Sequence, residues 1–589
     1  MRGVGAGLLA ALLAVLAVLL LSGPETGPVP PGYGVAGSRY QQALVSRYGA
    51  VASASPDASA AGISVLAAGG NAVDAAVATV FAVGVTAQES CGIGGGGFLL
   101  YRGADGTAAV LDFRETAPAG LPPDFEAAAR GFRGTGHQVV GVPGTVAGMA
   151  AVGERFGTRP LSELLRPAIA LADRGLRLTP FQIEVLESEQ ERLNAYEGAR
   201  RLYLDNGGVP RPFPVGQQRS QADMARTLRT LADAGPESFY RGSIAEAIIA
   251  EMERSRTAAL PAGERGVMTA DDLASYRPMW REPLRGTYRD RTILAVPPPT
   301  AGGVIVLEVL NLLEGFPLGR DGAYRHSSAE HLHALAEAKK IAVADRNAYI
   351  ADPAYGDVPT DRLVAKDYAA GRRAGIDRQK AKDHAPGRFD GFTPRPPGAG
   401  SRPGASTHHI SVVDAPGNAV AVTCSVEQRY GSAVVVPGTG ILLNNQLTDF
   451  DEPGSANEPR PGKRPRSNMS PVIVVDNGRP ALVLGAPGGP RIPMGVATVI
   501  SNVVDFGMDP ALAVDVARLD AEKCCSVELE QDRVPPAERE NLTARGHTIV
   551  DRGEYHPQFT PLVQVTGIRP DGRRFAVSDP RYQRGAGVL

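Results

Sequence analysis

The sequence predicts an α+β protein in which antiparallel strands carry the chemistry and helices supply much of the core. Three observations lead to this class. Residues 407–426 read THHISVVDAPGNAVAVTCSV, two strand-like runs around Ala415-Pro416-Gly417, whose glycine suits the φ > 0 position of a three-residue hairpin loop. Apolar residues recur at helical spacing through much of residues 161–350. Further short strand-like runs, Phe98-Leu99-Leu100-Tyr101 and Ala481-Leu482-Val483-Leu484, lie next to glycine clusters.

Composition sets the frame. The chain has 589 residues, 43% hydrophobic and 21% charged, with a net charge of −2, the profile of a soluble globular protein with a large core. Nothing in it invites nucleic acid. Cys91, Cys424, Cys524 and Cys525 are too few for a disulfide framework in so long a chain and match no metal spacing, so free, mostly buried thiols are expected. The close histidine pairs, His331/His333 and His408/His409, have no cysteine or carboxylate at zinc-ligand spacing beside them. No metal and no cofactor are expected.

In chain order, residues 1–23 carry one charge, Arg2, then an unbroken apolar run over 5–21 and Ser22-Gly23. That is the layout of a secretory signal peptide. An uncleaved anchor is the alternative, since the run falls just short of the roughly 20 residues that span a bilayer. The protein is therefore expected to be exported, secreted or tethered to the outer face of the membrane. Residues 24–42 read as a linker, and the folded unit occupies 43–382 and 407–589.

Residues 59–68 read as a buried helix stopped by Gly69-Gly70, and Asn71 as the N-cap of a second helix over 72–83. Residues 91–97, CGIGGGG, lack the Gly-Lys-Ser/Thr of a phosphate loop, so these glycines serve close backbone packing against the strand that follows. A strand over 110–116 carries Arg114 at its end. Residues 161–173, 304–313 and 328–350 read as helices, with His331 and His333 on different faces. Residues 383–406 hold five prolines among Gly, Arg and Ser and cannot bury enough apolar area to order themselves. After the hairpin, 441–451 reads ILLNNQLTDFD, 496–504 and 509–546 read as helical, and 563–565 and 575–577 close the chain as strands.

Pairing Asp414 with Asn418 in the hairpin sets Thr407 opposite Ser425. A threonine that begins a strand, behind a disordered linker and facing a hydroxyl, suggests a chain that cuts itself between Ser406 and Thr407. The freed amino terminus then supplies both hydroxyl nucleophile and amine base.

The stretch THHISVVDAPGNAVAVT resembles the signature that opens the small subunit of γ-glutamyltranspeptidases, members of the N-terminal-nucleophile hydrolases. GGNAVDAAVA, GGGGF, LDFRETAP, PPPTAGG, and the closing SDPR match the same family in the same order, so the resemblance covers nearly everything after about residue 50. It implies a four-layer αββα sandwich built jointly by a large and a small subunit after self-cleavage. It further implies that Thr407 is the nucleophile, that Ser425 hydrogen-bonds it, and that Gly488 and Gly489 form an oxyanion hole. Arg114, Ser467 and Asn468 take positions near the donor's α-carboxylate, and Glu427, Gln446 and Asp449 positions near its α-amine. Family members typically have Ser-Ser-Met where this chain has Ser467-Asn468-Met469, and an amide can still donate a hydrogen bond there. The loop over 452–464 is too short for the lid that closes some members, which implies an open cleft.

The activity implied is γ-glutamyl transfer from glutathione or related donors to water, amino acids or peptides. The alternatives are a cephalosporin side-chain acylase of the same fold and an inert exported binding protein.

Overall fold

The computed structural model describes residues 41–122, 125, 134–206, 209–257, 265–319, 321–396, 405–556, 561–582 and 585–589. The signal segment, most of the linker after it and residues 397–404 of the linker before Thr407 lie outside these.

The predicted hairpin forms as Ala405–Val413 and Ala419–Gln428, with Thr407 opposite Ser425 and Val413 opposite Ala419. Gly417 takes φ +99° in its loop, where the Asp414 carboxylate accepts from the N–H groups of Gly417 and Asn418 at 3.0 and 2.8 Å. Both hairpin strands are buried on both faces, so the period of two sorts their side chains between two cores. Ile410, Val412, Val420 and Val422 enter a helix-covered core. Val413, Ala419 and Ala421 enter a second core against Ile473, Val483 and Leu294.

That second core joins two seven-stranded sheets. One runs, in spatial order, Gly585–Val588, Ala50–Ser53, Ala405–Val413, Ala419–Gln428, Gly96–Arg102, Ala108–Phe113 and Met279–Arg281. The other runs Leu44–Ser46, Arg574–Ser578, Gln564–Ile568, Arg479–Gly485, Val472–Asp476, Arg291–Ala295 and Leu284–Tyr288. Every pairing in both is antiparallel. Helices Pro56–Ala67, Ala72–Thr86, Thr145–Phe156 and Arg166–Arg174 cover the outer face of the first sheet. Gly302–Leu313, Ala329–Tyr349 and Ile492–Val504 cover the second. The result is an αββα sandwich, and each sheet mixes strands from before and after Thr407.

Asn71 caps its helix as expected, in a capping box with Asp74. The expected helix over 161–173 is interrupted, giving Leu161–Leu164 and Arg166–Arg174, because Pro167 suits a first turn rather than an interior. The glycine run does serve close approach. A Cβ at Gly94, Gly95, Gly96 or Gly97 would overlap the carbonyl oxygen of Leu442, Ser425, Phe113 or Thr423 respectively.

Three expectations are corrected. Residues 509–546 are mostly not helical. The short helix Pro510–Asp515 precedes strands Leu519–Asp520 and Ser526–Leu529, and the short helix Pro536–Ala544 separates these from Thr548–Asp551, the three strands forming a small sheet of their own. Pro510, Pro535 and Pro536 break the run, and Ser526–Leu529 alternates as a strand does. Residues 383–396 are ordered by polar contacts, with Gly387 O accepting from Tyr349 Oη at 2.6 Å, Gly387 N donating to Asp345 at 2.7 Å and Arg395 N donating to Ala348 O at 3.1 Å.

The third correction concerns the cysteines, none of which is a free thiol. Cys91 and Cys424 form a disulfide with an S–S distance of 2.05 Å and Cα–Cα of 5.5 Å, and Cys524 is bonded to Cys525. Counting could not find the first bond, because the strand pairing that sets Cys424 opposite Gly97 brings a residue 333 positions away alongside. Closing so long a loop restricts the unfolded chain by roughly 5–6 kcal/mol on a chain-entropy account. It also joins residues on opposite sides of Thr407. A protein cut at that point is therefore expected to run as one species on a denaturing gel without reductant and as two with it. Two species without reductant would show that this bond does not form.

Candidate active site

Thr407 sits at the mouth of the space between the sheets. A shift of register between Ser406 and Thr407 puts a kink at the peptide bond the sequence marks for cleavage, and the side chain is buried there. Thr407 Oγ1 donates to Ser425 Oγ at 3.3 Å, and Ser425 Oγ donates to the Ser406 carbonyl at 2.6 Å while accepting from Glu427 N at 2.8 Å. One serine hydroxyl therefore holds both the hydroxyl and the carbonyl next to it in chain.

The adjacent histidines serve other partners. Ala54 N donates to His408 Nε2 at 3.2 Å, and His409 shares hydrogen bonds with Thr423 and Ser411. Burial pushes their pKa values down to about 4 and about 3.

Beyond Thr407 lies a cleft lined by Glu427, Asp449, Ser467, Asn468 and Gly489. Gln446 Nε2 donates to both carboxylates, at 2.8 Å to Glu427 and 2.8 Å to Asp449. Burial, with Asp449 beside it, raises the Glu427 carboxyl well above the ordinary range, as expected for like charges that share a site. Glu427 also has φ +80°, a left-handed conformation that costs about 1–3 kcal/mol for a residue with a Cβ and is held only where its surroundings demand it.

Arg114, which the resemblance implies forks onto the donor's α-carboxylate, is tied into the protein here. It is fully buried behind Asp449, and its Nη2 donates to Asp449 at 2.5 Å and to Arg466 O at 3.0 Å, its Nε to Pro465 O at 3.2 Å. Only Nη1 lacks a hydrogen-bond partner, and it stands 3.7 Å from Glu115. Burial drives the Glu115 carboxyl up to about 7, ahead of the opposing pull from Arg114.

Ser467 is fixed through its backbone, which pairs with Thr300, and its Oγ accepts from Met469 N at 3.1 Å. The Asn468 amide oxygen accepts from Arg346 Nη1 at 3.3 Å, and the same nitrogen lies 3.3 Å from Glu522. Gly488 and Gly489 adopt φ +139° and +58°, the first of these reserved for glycine. The loop after Asp451 is tied to its own flanks. Asn457 Nδ2 donates to Asp449 O at 2.7 Å, and Lys463 Nζ is buried against the carbonyls of Ala456 and Glu458.

Sequence reasoning thus located Thr407, Glu427, Asp449, Ser467, Asn468 and Gly489 on one cleft, Gly488 beside it, and Ser425, Gln446 and Arg114 behind it. It missed Glu115, Arg346 and Asn457: Arg346 meets Asn468 and Glu522 from 122 and 176 positions away, whereas Glu115 is next to Arg114 and Asn457 lies 8 positions from Asp449. It also missed a grouping of His333, Glu337 and His547, whose ligand-type atoms lie within 4.8 Å of one another. His333 Nδ1 and His547 Nε2 share a hydrogen bond at 2.8 Å, and His384 meets Glu337 at 2.7 Å.

An αββα sandwich of two antiparallel sheets between helical layers is the fold of the N-terminal-nucleophile hydrolase class. The family model for gamma-glutamyltranspeptidase matches residues 58–589. A glutathione hydrolase proenzyme of Pseudomonas sp. (strain A14) is 38% identical over 91% of this chain and 93% of its own length. An acylase ACY 1 proenzyme of Pseudomonas sp. (strain SE83) is 37% identical over 91% and 95%. Among solved structures, a cephalosporin acylase from Bacillus halodurans superposes with a TM-score of 0.83 at 30% identity, covering 96% of this chain and 99% of that one. The chain belongs to the γ-glutamyltranspeptidase family, and it is an enzyme. Among the described residues no helix is long and apolar enough to cross a membrane.

Proposed function

We propose that this is a self-processing γ-glutamyl transferase and hydrolase acting on glutathione and related γ-glutamyl amides. One observation carries the reading: a threonine hydroxyl and the carbonyl before it share one serine, at the end of a cleft whose other end holds two carboxylates. In the precursor, Thr407 Oγ attacks the Ser406 carbonyl, the peptide C–N bond breaks, and water hydrolyses the resulting ester. The exposed α-amine of Thr407 then takes the proton from its own hydroxyl as this attacks a γ-amide carbonyl. The N–H groups of Gly488 and Gly489 receive the oxyanion, a contribution of about 3 kcal/mol per donor. Asp449 and Glu427 take the donor's ammonium, and Ser467, Asn468 and Arg114 its carboxylate. Release of a chromogenic amine from a γ-glutamyl anilide tests the reading; a pure, processed protein that releases none overturns it. The apolar run over 5–21 supports export.

The acylase relatives favour one second reading, removal of cephalosporin side chains. We rank it second, because Glu427 and Asp449 offer an α-amine two carboxylates that a side chain lacking that amine would not use. A side-chain amide lacking that amine is expected to be the poorer substrate by kcat/KM.

The raised Glu427 pKa makes donor binding pH-dependent. An ammonium binds the ionised carboxylate, so KM for the donor is expected to fall as pH rises through the Glu427 pKa, and Glu427→Gln to flatten this dependence. Stability has the opposite sign. A carboxyl whose folded pKa is raised contributes stability that is full below the unfolded value and lost as pH rises through the folded one. The Tm of the empty wild-type protein should therefore drop relative to Glu427→Gln on the alkaline side.

A loop as short as 452–464 is expected to leave the cleft without a cover, and a cover is what excludes water and bulky chains. Hydrolysis is expected to outweigh transfer, and γ-linked glutamate oligomers to be cleaved. Offered glutathione and a γ-linked tri-glutamate at equal concentration, the enzyme should turn over both; glutathione turnover with no cleavage of the oligomer would refute the open cleft.

A further inference from the structure

Helix Ala329–Tyr349 sends two buried cations to the walls of the cleft. Lys339 and Arg346 stand two helical turns apart and so share one face, and both are buried. Lys339 Nζ donates to the Pro490 carbonyl at 2.7 Å and lies 3.3 Å from Asp520 Oδ1. Arg346 Nη1 donates to the Asn468 amide oxygen at 3.3 Å and lies 3.3 Å from Glu522 Oε1. Each cation thus ties a residue that lines the cleft, Pro490 or Asn468, to an acid at the end of strand Leu519–Asp520 or just beyond it.

Stability alone is a poor reason for Lys339. A buried ammonium–carboxylate pair loses about as much in desolvation as its attraction returns, and burial raises the Asp520 carboxyl to about 6 even with Lys339 beside it. What Lys339 holds is a better reason. Pro490 belongs to the turn Gly489–Arg491, directly after the two glycines whose N–H groups receive the oxyanion. Gly488 and Gly489, at φ +139° and +58°, have more backbone freedom to lose than any other residue type. The turn is pinned at its start by Leu562 N, which donates to Pro487 O at 3.2 Å. At its end it is pinned by Lys339, through a proline whose ring already fixes φ.

We propose that Lys339 and Arg346 are positioning residues with separate tasks: Lys339 holds the turn that presents Gly488 and Gly489 to the transition state, and Arg346 holds Asn468 toward the donor's carboxylate. This rests on the reading of Thr407 as the nucleophile and of the two glycines as oxyanion donors. A loosened oxyanion turn weakens the tetrahedral state and leaves the bound donor alone, whereas a loosened Asn468 weakens both alike. The two cations are therefore separable by kinetics, and a general loosening of the fold would not separate them.

The test measures kcat and KM for a γ-glutamyl anilide, and Ki for the γ-boronic acid analogue of glutamate, in processed wild type, Lys339→Met and Arg346→Met. Boron accepts an electron pair from Thr407 Oγ and the hydroxyl proton passes to the α-amine, so Ki reports a tetrahedral adduct whatever fraction of the enzyme is active. Lys339→Met is expected to raise Ki and lower kcat about tenfold at nearly constant KM, a part of the roughly 10²–10³-fold lost when an oxyanion donor is removed outright. Arg346→Met is expected to raise KM and Ki together, by about tenfold. The double variant Lys339→Met/Asp520→Asn removes the charged pair as a unit, which a fold tolerates, and should recover Tm without recovering Ki. Four results overturn the proposal: an unchanged Ki in Lys339→Met, an unchanged KM in Arg346→Met, recovery of Ki along with Tm in the double variant, or failure of both Lys339 variants to fold. A wild type that neither releases anilide nor binds the boronate is a different result, because it removes the reading of Thr407 on which this one stands.

Discussion

Thr407→Ala is expected to remain a single chain and to release no measurable product from a γ-glutamyl donor. The two losses have one cause, since the same hydroxyl would open the Ser406–Thr407 bond and later carry the acyl group. Removing a nucleophile of this kind lowers turnover by roughly 10⁴-fold or more. The fold should survive, because Ser425 Oγ keeps its bonds to Ser406 O and Glu427 N and the strand pairing around residue 407 is made by backbone. Thr407→Ser keeps the hydroxyl and should still cleave. In the wild type, amino-terminal sequencing of the smaller chain, run with reductant, should read Thr-His-His-Ile. Any other start, or efficient turnover by an uncut Thr407→Ala, removes Thr407 from the chemistry.

The parts of this site legible in the sequence are those whose signal is local. Alternation around Ala415-Pro416-Gly417 sets the hairpin register, and the register alone puts Thr407 against Ser425. The glycines of 94–97 announce close packing, although not what they pack against. What was not legible depends on pairings between distant strands. Cys91 meets Cys424 only because Gly96–Arg102 lies beside Ala419–Gln428. Residues 383–396 were misjudged for a related reason. Their apolar content is low, but they are ordered by polar contacts to the long Ala329–Tyr349 helix that no composition reveals.

Arg114→Lys tests the donor site more severely than its sequence position suggested. Arg114 would meet a donor carboxylate through Nη1, the one nitrogen without a hydrogen-bond partner, while its other nitrogens anchor Asp449 and the carbonyls of Pro465 and Arg466. Lysine offers a single ammonium and cannot hold Asp449, two carbonyls and a ligand at once. Losing one charge-assisted bond to the substrate and loosening Asp449 together correspond to about 2–4 kcal/mol, or roughly 30- to 1000-fold. Most of that should appear as a rise in KM for the γ-glutamyl donor, because both contacts are made to the bound ground state as well as to the transition state. Cleavage before Thr407 should continue, since Ser425 and the Ser406 carbonyl do not touch Arg114. The measurement is a donor titration on processed Arg114→Lys beside the wild type. An unchanged KM would show that neither Nη1 nor the grip on Asp449 takes part in holding the donor.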